Sequence, residues 1–323
     1  MKYLSYDRMD EFVRRYFGSS AHAQARLVGV DRSHDSGYFD IVRLFGHNAV
    51  DPSRVQVEYM PDEFEFGDAV IAEYAQETEL LLRAETRLHS GPSVMKLVDA
   101  DFESRPYRVV VQECSYGAQA GSCFALDFEH HLFRGCGENL REYYKRKYPS
   151  QRVRDNPLAI CLGVCGIVLL QEGRSHSLLR VFRSDKLASL EDSEGPSVAG
   201  GVDFMLEYTN LSDLIEQSLV QEIKEELGLE RHEYDIVPLA YAREIFRGER
   251  PQLFCFVSTD LTRETIARRL TDTDYRWPEQ RGFAFADLKA DGRLPTEVVA
   301  AMNHEARMNY FLLEEYFDLK SKA

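Results

Sequence analysis

The sequence predicts an α/β protein, in which short strands and amphipathic helices alternate along 323 residues. Hydrophobic residues make up 44% of the chain and charged residues 29%, proportions that are ordinary for a globular protein with a buried core. Apolar runs rich in β-branched residues are bounded by turn residues, as in strands. Other segments repeat apolar residues every three to four positions, as in helices.

The first half of the chain, residues 1–155, is predicted to be a smaller α/β domain. We expect helices over residues 6–17, 68–88 and 138–148, and strands over residues 37–44, 54–60, 93–98 and 107–112. Gly91-Pro92 ends the long second helix. The polar stretch 150–156 is followed by Pro157 and marks the expected boundary, so that residues 156–323 form the second domain.

The second domain begins with two predicted strands, residues 158–170 and 177–182, joined by a turn at 172–175. Gly200-Gly201 precedes a helix predicted over residues 213–227, with Ser212 as its N-cap and Gly228 at its C-terminal end. Strands are expected at 235–242 and 252–259, and a last helix within 294–316.

Three carboxylates stand out on the predicted helix 213–227. Glu222, Glu225 and Glu226 follow the spacing i, i+3 and i+4, which places them on adjacent turns of one face. Like charges at this distance destabilise a helix unless a positive charge lies among them. A divalent cation such as Mg²⁺ or Mn²⁺ provides that charge and prefers carboxylate oxygens as ligands. The pattern therefore predicts a metal site, although an exposed acidic helix has the same composition.

Charge and composition limit the remaining function classes. The formal net charge of −15 argues against nucleic acid as a partner, and no apolar run reaches the length of a membrane span. We expect a cytoplasmic protein, because the N-terminus resembles no secretory signal. The spacings of the six cysteines match no zinc module, so we expect reduced thiols that serve as small hydrophobic residues, with a metal or redox site as the alternative. The adjacent His130 and His131 predict no metal site, because neighbouring residues on a strand point to opposite faces. The oligomeric state is not indicated.

The acidic helix and the glycines before it resemble the signature of the Nudix hydrolases. Gly201 is followed after five residues by Glu207, and Glu222-Ile223-Lys224-Glu225-Glu226-Leu227-Gly228-Leu229 matches the end of the signature. The sequence departs from it in two ways: thirteen residues instead of seven follow Glu207, and Gln221 stands where the family has arginine. The resemblance covers residues 156–317 and implies an α/β/α sandwich with a mixed sheet.

A narrower resemblance is to the UDP-sugar diphosphatase branch of that family. It is carried by Tyr116–Ser122, by Arg183-Ser184, by the enlarged loop and by Gln221. It implies Mg²⁺-dependent hydrolysis of the pyrophosphate of a small-molecule nucleotide, UDP-glucose or UDP-galactose, to UMP and sugar 1-phosphate. Two alternatives remain: hydrolysis of ADP-ribose or another nucleotide, and a non-catalytic nucleotide sensor or interaction module, which the missing arginine favours.

The resemblance also implies roles for individual residues. Glu222 and Glu226 are the expected first metal ligands, Glu225 is a third, and the backbone of Gly201 completes the shell. A general base comes from a loop outside the signature, and Glu279 is the candidate. Tyr116 is a candidate nucleotide contact or a core residue.

Two arginines are further candidates. Arg183 and Arg247 are possible phosphate contacts because guanidinium groups match phosphate geometry, or they are surface residues in ion pairs.

Overall fold

The computed structural model describes residues 39–45, 50–85, 93–135, 137–150, 152–173, 175–184, 193–205, 207–271, 280–289 and 292–322. The chain has a mixed α/β fold with two sheets, as the sequence predicts. The helix expected at 6–17, the break at Gly91-Pro92 and the candidate base Glu279 lie outside the described residues.

The boundaries of the elements are as follows. The strands are β1 (Phe39–Leu44), β2 (Val55–Tyr59), β3 (Ser93–Asp101), β4 (Tyr107–Ser115), β5 (Gly163–Glu172), β6 (Ser175–Arg183), β7 (Glu194–Gly195), β8 (Val198–Gly201), β9 (Asp235–Glu244), β10 (Arg250–Thr259) and β11 (Gln280–Asp287). The helices are α1 (Ala69–Ala84), α2 (Tyr116–Cys123), α3 (Leu140–Lys147), α4 (Leu211–Leu227), α5 (Arg263–Thr271), α6 (Thr296–Ala301) and α7 (His304–Lys322).

The larger sheet has the strand order β1-β9-β10-β5-β6-β11, with β8 paired to β5 and β7 paired to β6. The β10–β5 pair is parallel and the other pairs are antiparallel, so the sheet is mixed. The smaller sheet has the order β2-β4-β3.

Strand β5 shows how the larger sheet lies between two helices. Val164 and Val168 belong to the hydrophobic cluster that contains the apolar side of α4. Cys165 and Ile167 belong to a second cluster that contains α7. Successive side chains of a strand point to opposite faces, so α4 and α7 cover opposite faces of the sheet. This is the α/β/α layering that the sequence predicts.

The two halves of the chain share structure. Strand β1 pairs with β9 of the larger sheet, and Val57 and Met95 lie in the same hydrophobic cluster as Ile223 of α4. The Met95 N–H donates to the Val202 carbonyl at 2.8 Å. The edge strand β3 of the smaller sheet thus contacts the segment between β8 and α4. A division into domains at 155/156 stays a prediction.

Helix α4 begins two residues earlier than predicted. The prediction of Ser212 as N-cap is wrong, because the side chain of Asn210 accepts the N–H of Asp213 at 3.0 Å and the helix starts at Leu211. Asparagine caps a helix as well as serine does. Because Asn210 lies two residues before Ser212, capping by Asn210 starts α4 two residues earlier. Gly228 ends the helix with φ 64°, as predicted.

The sequence does not reveal α2, α5 or β11, because each is short and lacks a clear apolar period. The five described cysteines are buried and free, which confirms that they act as small hydrophobic residues, and Cys136 lies outside the described residues. Within the described ranges, no helix is both long and apolar enough to cross a membrane.

Candidate active site

The centre of the candidate site is the contact between Glu222 and Gly200. Gly200 lies on β8, where it pairs with Val164 of β5, and the carboxylate of Glu222 lies directly over it. A Cβ atom at position 200 would be 1.7 Å from Glu222 Oε1 and 2.1 Å from its Cδ. Only glycine leaves room for a carboxylate here. Gly200 and Glu222, which lie 22 positions apart in the sequence, are thus in direct contact.

Gln221 orients two further carboxylates. Its Nε2 donates to Asp203 Oδ2 at 3.3 Å and to Glu225 Oε1 at 3.2 Å. Burial, reinforced by the charge of Glu225, raises the pKa of the Asp203 carboxyl above its ordinary value, and the bond from Gln221 opposes the rise. Glu207, which the Nudix-like signature includes, is exposed, and the side-chain amide of Gln221 donates to Asp203 and Glu225 instead.

Glu226 is the most buried of the three helix carboxylates, with 8% of its surface exposed. Its Oε2 accepts a hydrogen bond at 3.1 Å from Nε2 of Gln280, the first residue of β11. Glu222 and Glu226 are one helical turn apart, so their carboxylates project from the same edge of α4. The residues of α4 therefore meet partners from β8, the following loop and β11.

Arg183, at the end of β6, lies beside this cluster. It pairs with Gln280 across the β6–β11 ladder, and directly paired residues project to the same face of a sheet. A Cβ on Gly195 would be 2.9 Å from Arg183 Cδ, so the glycine leaves room for the aliphatic part of the side chain. The buried Arg183 Nε has no hydrogen-bond partner among the described residues. This donor is suited to an anionic ligand.

The donor set fits a hard divalent cation in chemical type. Asp203, Glu222, Glu225 and Glu226 supply only carboxylate oxygens, the ligands that Mg²⁺ and Mn²⁺ prefer. Among the described residues, the three ligand atoms that already lie close enough together to share one metal ion are those of Glu77, His130 and His131, so a cation would have to draw the carboxylates of this site together. Gly200 additionally allows close approach of the β8 backbone. Glu222, Glu225 and Glu226 stay predicted ligands, and Asp203 joins them by position.

Arg247 lies away from these carboxylates, on the α7 side of the sheet. It is 5% exposed and its guanidinium contacts Glu244 and Glu305, in each case at 3.4 Å. Burial opposes ionisation of Glu244, but Arg247 and His304 outweigh it and lower the pKa of that carboxyl. Arg247 is thus part of a buried ionic network, which corresponds to the ion-pair alternative considered from the sequence.

Tyr116 lies in the first half of the chain, as the first residue of α2. Its half-buried ring packs near Phe124, with ring centroids 6.2 Å apart, and beside the cluster that contains Val94. Val94 in turn is the neighbour of Gly201, since its Cγ1 would be 3.6 Å from a Cβ at that position. A nucleotide contact by Tyr116 stays a prediction. The hydrophobic cluster against which Tyr116 packs contains Val94, and Val94 lies next to Gly201.

His130 and His131 do not lie on a strand, so the argument from alternating faces is wrong. His130 caps a 3-10 turn, both rings contact Glu77, and their centroids are 4.5 Å apart. The three residues could geometrically hold a metal ion. His130 Nδ1 accepts the N–H of Leu132 at 3.3 Å, and its Nε2 faces Glu77 at 2.8 Å.

Asp203 and Gln280 are site residues that sequence reasoning missed. Asp203 follows Gly201 by two residues, a proximity that could have drawn attention to it. Gln280 lies 54 residues from Glu226 and carries no sequence signal.

Comparisons with known proteins place parts of this chain beside Nudix structures. No protein-family model matches the sequence, and no curated protein matches it. A mutT/nudix family protein from Listeria innocua is similar to 50% of this chain over 94% of its own length, with 15% identity and a TM-score of 0.34. A MutT/nudix family protein from Enterococcus faecalis is similar to 59% of this chain over 76% of its own, with 12% identity and a TM-score of 0.34.

A third solved structure, the Ap4A hydrolase of C. elegans, is similar to 50% of this chain over 98% of its own length. The identity is 10% and the TM-score is 0.32. These identities and TM-scores do not assign the chain to a family, and its function has to be argued from the site itself.

Proposed function

We propose that the chain is a Nudix-type pyrophosphohydrolase that depends on Mg²⁺ or Mn²⁺ and cleaves a nucleoside diphosphate linked to another group. The observation that carries the proposal is the seating of the Glu222 carboxylate on Gly200. It joins the two separated parts of the Nudix-like signature at one point in space. The proposed substrate is UDP-glucose or UDP-galactose, which rests on the sequence resemblance alone.

In this proposal the carboxylates of α4 hold the cation. Glu222 and Glu226 are the first ligands, with Glu225 as the third, and Asp203 lies beside them through its bond to Gln221. A bound divalent cation neutralises phosphate oxygens and acidifies an attacking water. These side chains together carry four negative charges when ionised. Their attraction for a divalent cation offsets much of the free-energy cost of removing water from that cation.

The remaining residues act on the substrate and the proton. Arg183 binds a phosphate oxygen through its guanidinium. The oxygen of a water molecule forms a bond to one phosphorus, the bridging P–O bond breaks, and UMP and sugar 1-phosphate leave. The proton of that water passes to a general base, for which Glu279 stays the candidate.

The experiment is a nucleotide panel in H₂¹⁸O with Mg²⁺, followed by mass spectrometry of the products. We expect UMP and sugar 1-phosphate from UDP-sugars, with ¹⁸O in one of the two. Release of AMP from ADP-ribose, and not of UMP from UDP-sugars, would change the proposed substrate to ADP-ribose. The proposed reaction, hydrolysis of a pyrophosphate, would stay the same.

The companion variant is Glu226→Gln, which keeps the side-chain size and removes the charge. We expect its turnover to fall by at least ~100-fold. Full activity of this variant would exclude the assigned metal site. Nucleotide-dependent thermal stabilisation without turnover of any substrate would favour the sensor alternative.

A further inference from the structure

The side chain of Gln280 reaches the candidate metal site from a part of the chain that the signature does not include. It begins β11, and its Nε2 donates to Glu226 Oε2 at 3.1 Å. Glu226 is almost buried, whereas Gln280 is only partly so. The bond therefore lies at the edge of the core, where it is only partly screened by water.

The position of Gln280 is set by the sheet. Its backbone pairs with Arg183 at the end of β6, the register shifts between Gln280 and Gly282, and the ladder then continues to the Asp287–Ser177 pair. A side chain on a paired strand is held more precisely than one on a free loop. The amide of Gln280 thus donates from a paired strand to the carboxylate of Glu226 on α4.

The chemical type of the donor is informative. A lysine or arginine at this position would neutralise Glu226 and compete with a dication for it. An amide N–H is neutral, so it orients the carboxylate without neutralising it. A carboxylate has about four lone-pair sites, and the bond from Gln280 occupies one of them. Hydrogen bonds of this kind to metal ligands set their orientation, and their loss lowers metal affinity by about 10–100-fold.

Gln221 serves Asp203 and Glu225 in the same manner. Two neutral glutamine side chains therefore donate hydrogen bonds to these carboxylates. Gln221 of α4 bonds Asp203 and Glu225, and Gln280 of β11 bonds Glu226.

We propose that Gln280 is a positioning residue, which fixes the Glu226 carboxylate in the orientation that binds a divalent cation. This inference rests on the proposed function. Glutamine at position 280 then determines the metal affinity of the site without contacting the substrate.

The test compares Gln280→Leu with Gln171→Leu as a matched control. Gln171 lies on β5, is exposed, and donates one side-chain hydrogen bond to Ser258, so the control loses a comparable bond elsewhere. Mn²⁺ binding is measured by electron paramagnetic resonance, and kcat and KM are measured separately. We expect the Mn²⁺ Kd to rise about 10–100-fold in Gln280→Leu only. The kcat at low metal should fall with it, while KM changes less than about threefold.

A second variant, Gln280→Glu, keeps the shape and adds a like charge beside Glu226. It also removes the amide donor, so the Mn²⁺ Kd should rise in this variant too if the bond from Gln280 orients Glu226. An unchanged Kd would refute the role. Thermal unfolding without metal identifies a loss of folding, and Gln280→Glu provides the test if Gln280→Leu does not fold.

The outcomes separate the two proposals. If the wild type binds Mn²⁺ and turns over substrate while Gln280→Leu is unchanged in Kd, the role of Gln280 is refuted and the proposed function stands. If the wild type binds Mn²⁺ without turnover, the function fails while the Kd comparison still decides the role of Gln280. If the wild type binds no Mn²⁺ at millimolar concentration, both are overturned.

Discussion

The contact between Gly200 and Glu222 makes the substitution Gly200→Ala a sharp test of the site. The added methyl carbon would lie 1.7 Å from Glu222 Oε1, 2.1 Å from Cδ and 2.7 Å from Oε2. The Cβ atoms of real proteins keep at least 3.0 Å from other heavy atoms, so the Glu222 carboxylate has to move by about 1.3 Å. All three atoms belong to the end of a flexible side chain, and this end can move while the backbone stays in place.

The expected consequence is a large loss of function with a small loss of stability. A displacement of about 1 Å at a catalytic group costs roughly 100-fold in rate, or about 2.7 kcal/mol of transition-state stabilisation. Metal affinity should fall by about 10–100-fold, as when the support of a ligand is lost. The free energy of unfolding without metal should change by less than about 1 kcal/mol, because the clash is relieved by a side-chain rotation.

The assay measures kcat/KM on the substrate found in the panel, Mn²⁺ Kd, and urea unfolding of the metal-free protein. Gly67→Ala is the matched control, since a Cβ at that position has no heavy atom within 4 Å. A double-mutant cycle with Glu222→Ala tests the mechanism. If the methyl group acts through Glu222, it should have almost no further effect when that side chain is already absent.

Two results would contradict this reasoning. Normal Mn²⁺ affinity and kcat/KM in Gly200→Ala would mean that the seating of Glu222 is irrelevant to the site. Full additivity of the two substitutions would mean that Gly200 acts through another group.

Three further predictions concern stability. The guanidinium of Arg269 bonds Glu233 at 2.6 Å and lowers the pKa of that carboxyl from 4.5 to about 2. The stabilisation is therefore present above pH 4.5 and lost as the pH falls towards 2, so Arg269→Gln should cost of order 2 kcal/mol at pH 7 and almost nothing near pH 2 in urea unfolding. Arg141→Met leaves Asp127, whose side chain is 7% exposed, without its bidentate partner and should cost about 3–5 kcal/mol, much of it recovered when Asp127→Leu is added; an unrecovered double variant would contradict this. Gly121→Ala places a methyl group 2.2 Å from a backbone oxygen of α1, so it should lower the free energy of unfolding by about 1–3 kcal/mol, and an unchanged denaturation midpoint would be the opposite result.

Much of the fold could be predicted because its signals are local. The period of Ile215, Leu219, Ile223 and Leu227 predicts an amphipathic helix, and α4 buries these residues. The end of the helix at Gly228 follows from the preference of glycine for positive φ. The start was less certain, because Asn210 and Ser212 are both good caps and the choice between them depends on how the loop returns from β8.

The roles of the two candidate arginines show the limit of such reasoning. Arg183 and Arg247 are equivalent in chemistry, and each follows a predicted strand. Only the sheet decides that Arg183 lies beside Gln280, while Arg247 faces α7 among Glu244 and Glu305. Arg183 belongs to a strand and Arg247 to the 3-10 turn Ile245–Arg247, and residue type alone encodes neither assignment.

By itself, the sequence determined the α/β class, the acidic edge of α4 and the chemical preference of that edge for a hard cation, because carboxylate identity and helical spacing are local properties. The tertiary structure alone decided which groups meet this edge. Gly200 accommodates Glu222, Gln221 joins Asp203 to Glu225, and Gln280 orients Glu226 across 54 residues of chain. These contacts depend on strand pairing over long sequence distances, and no local pattern specifies them.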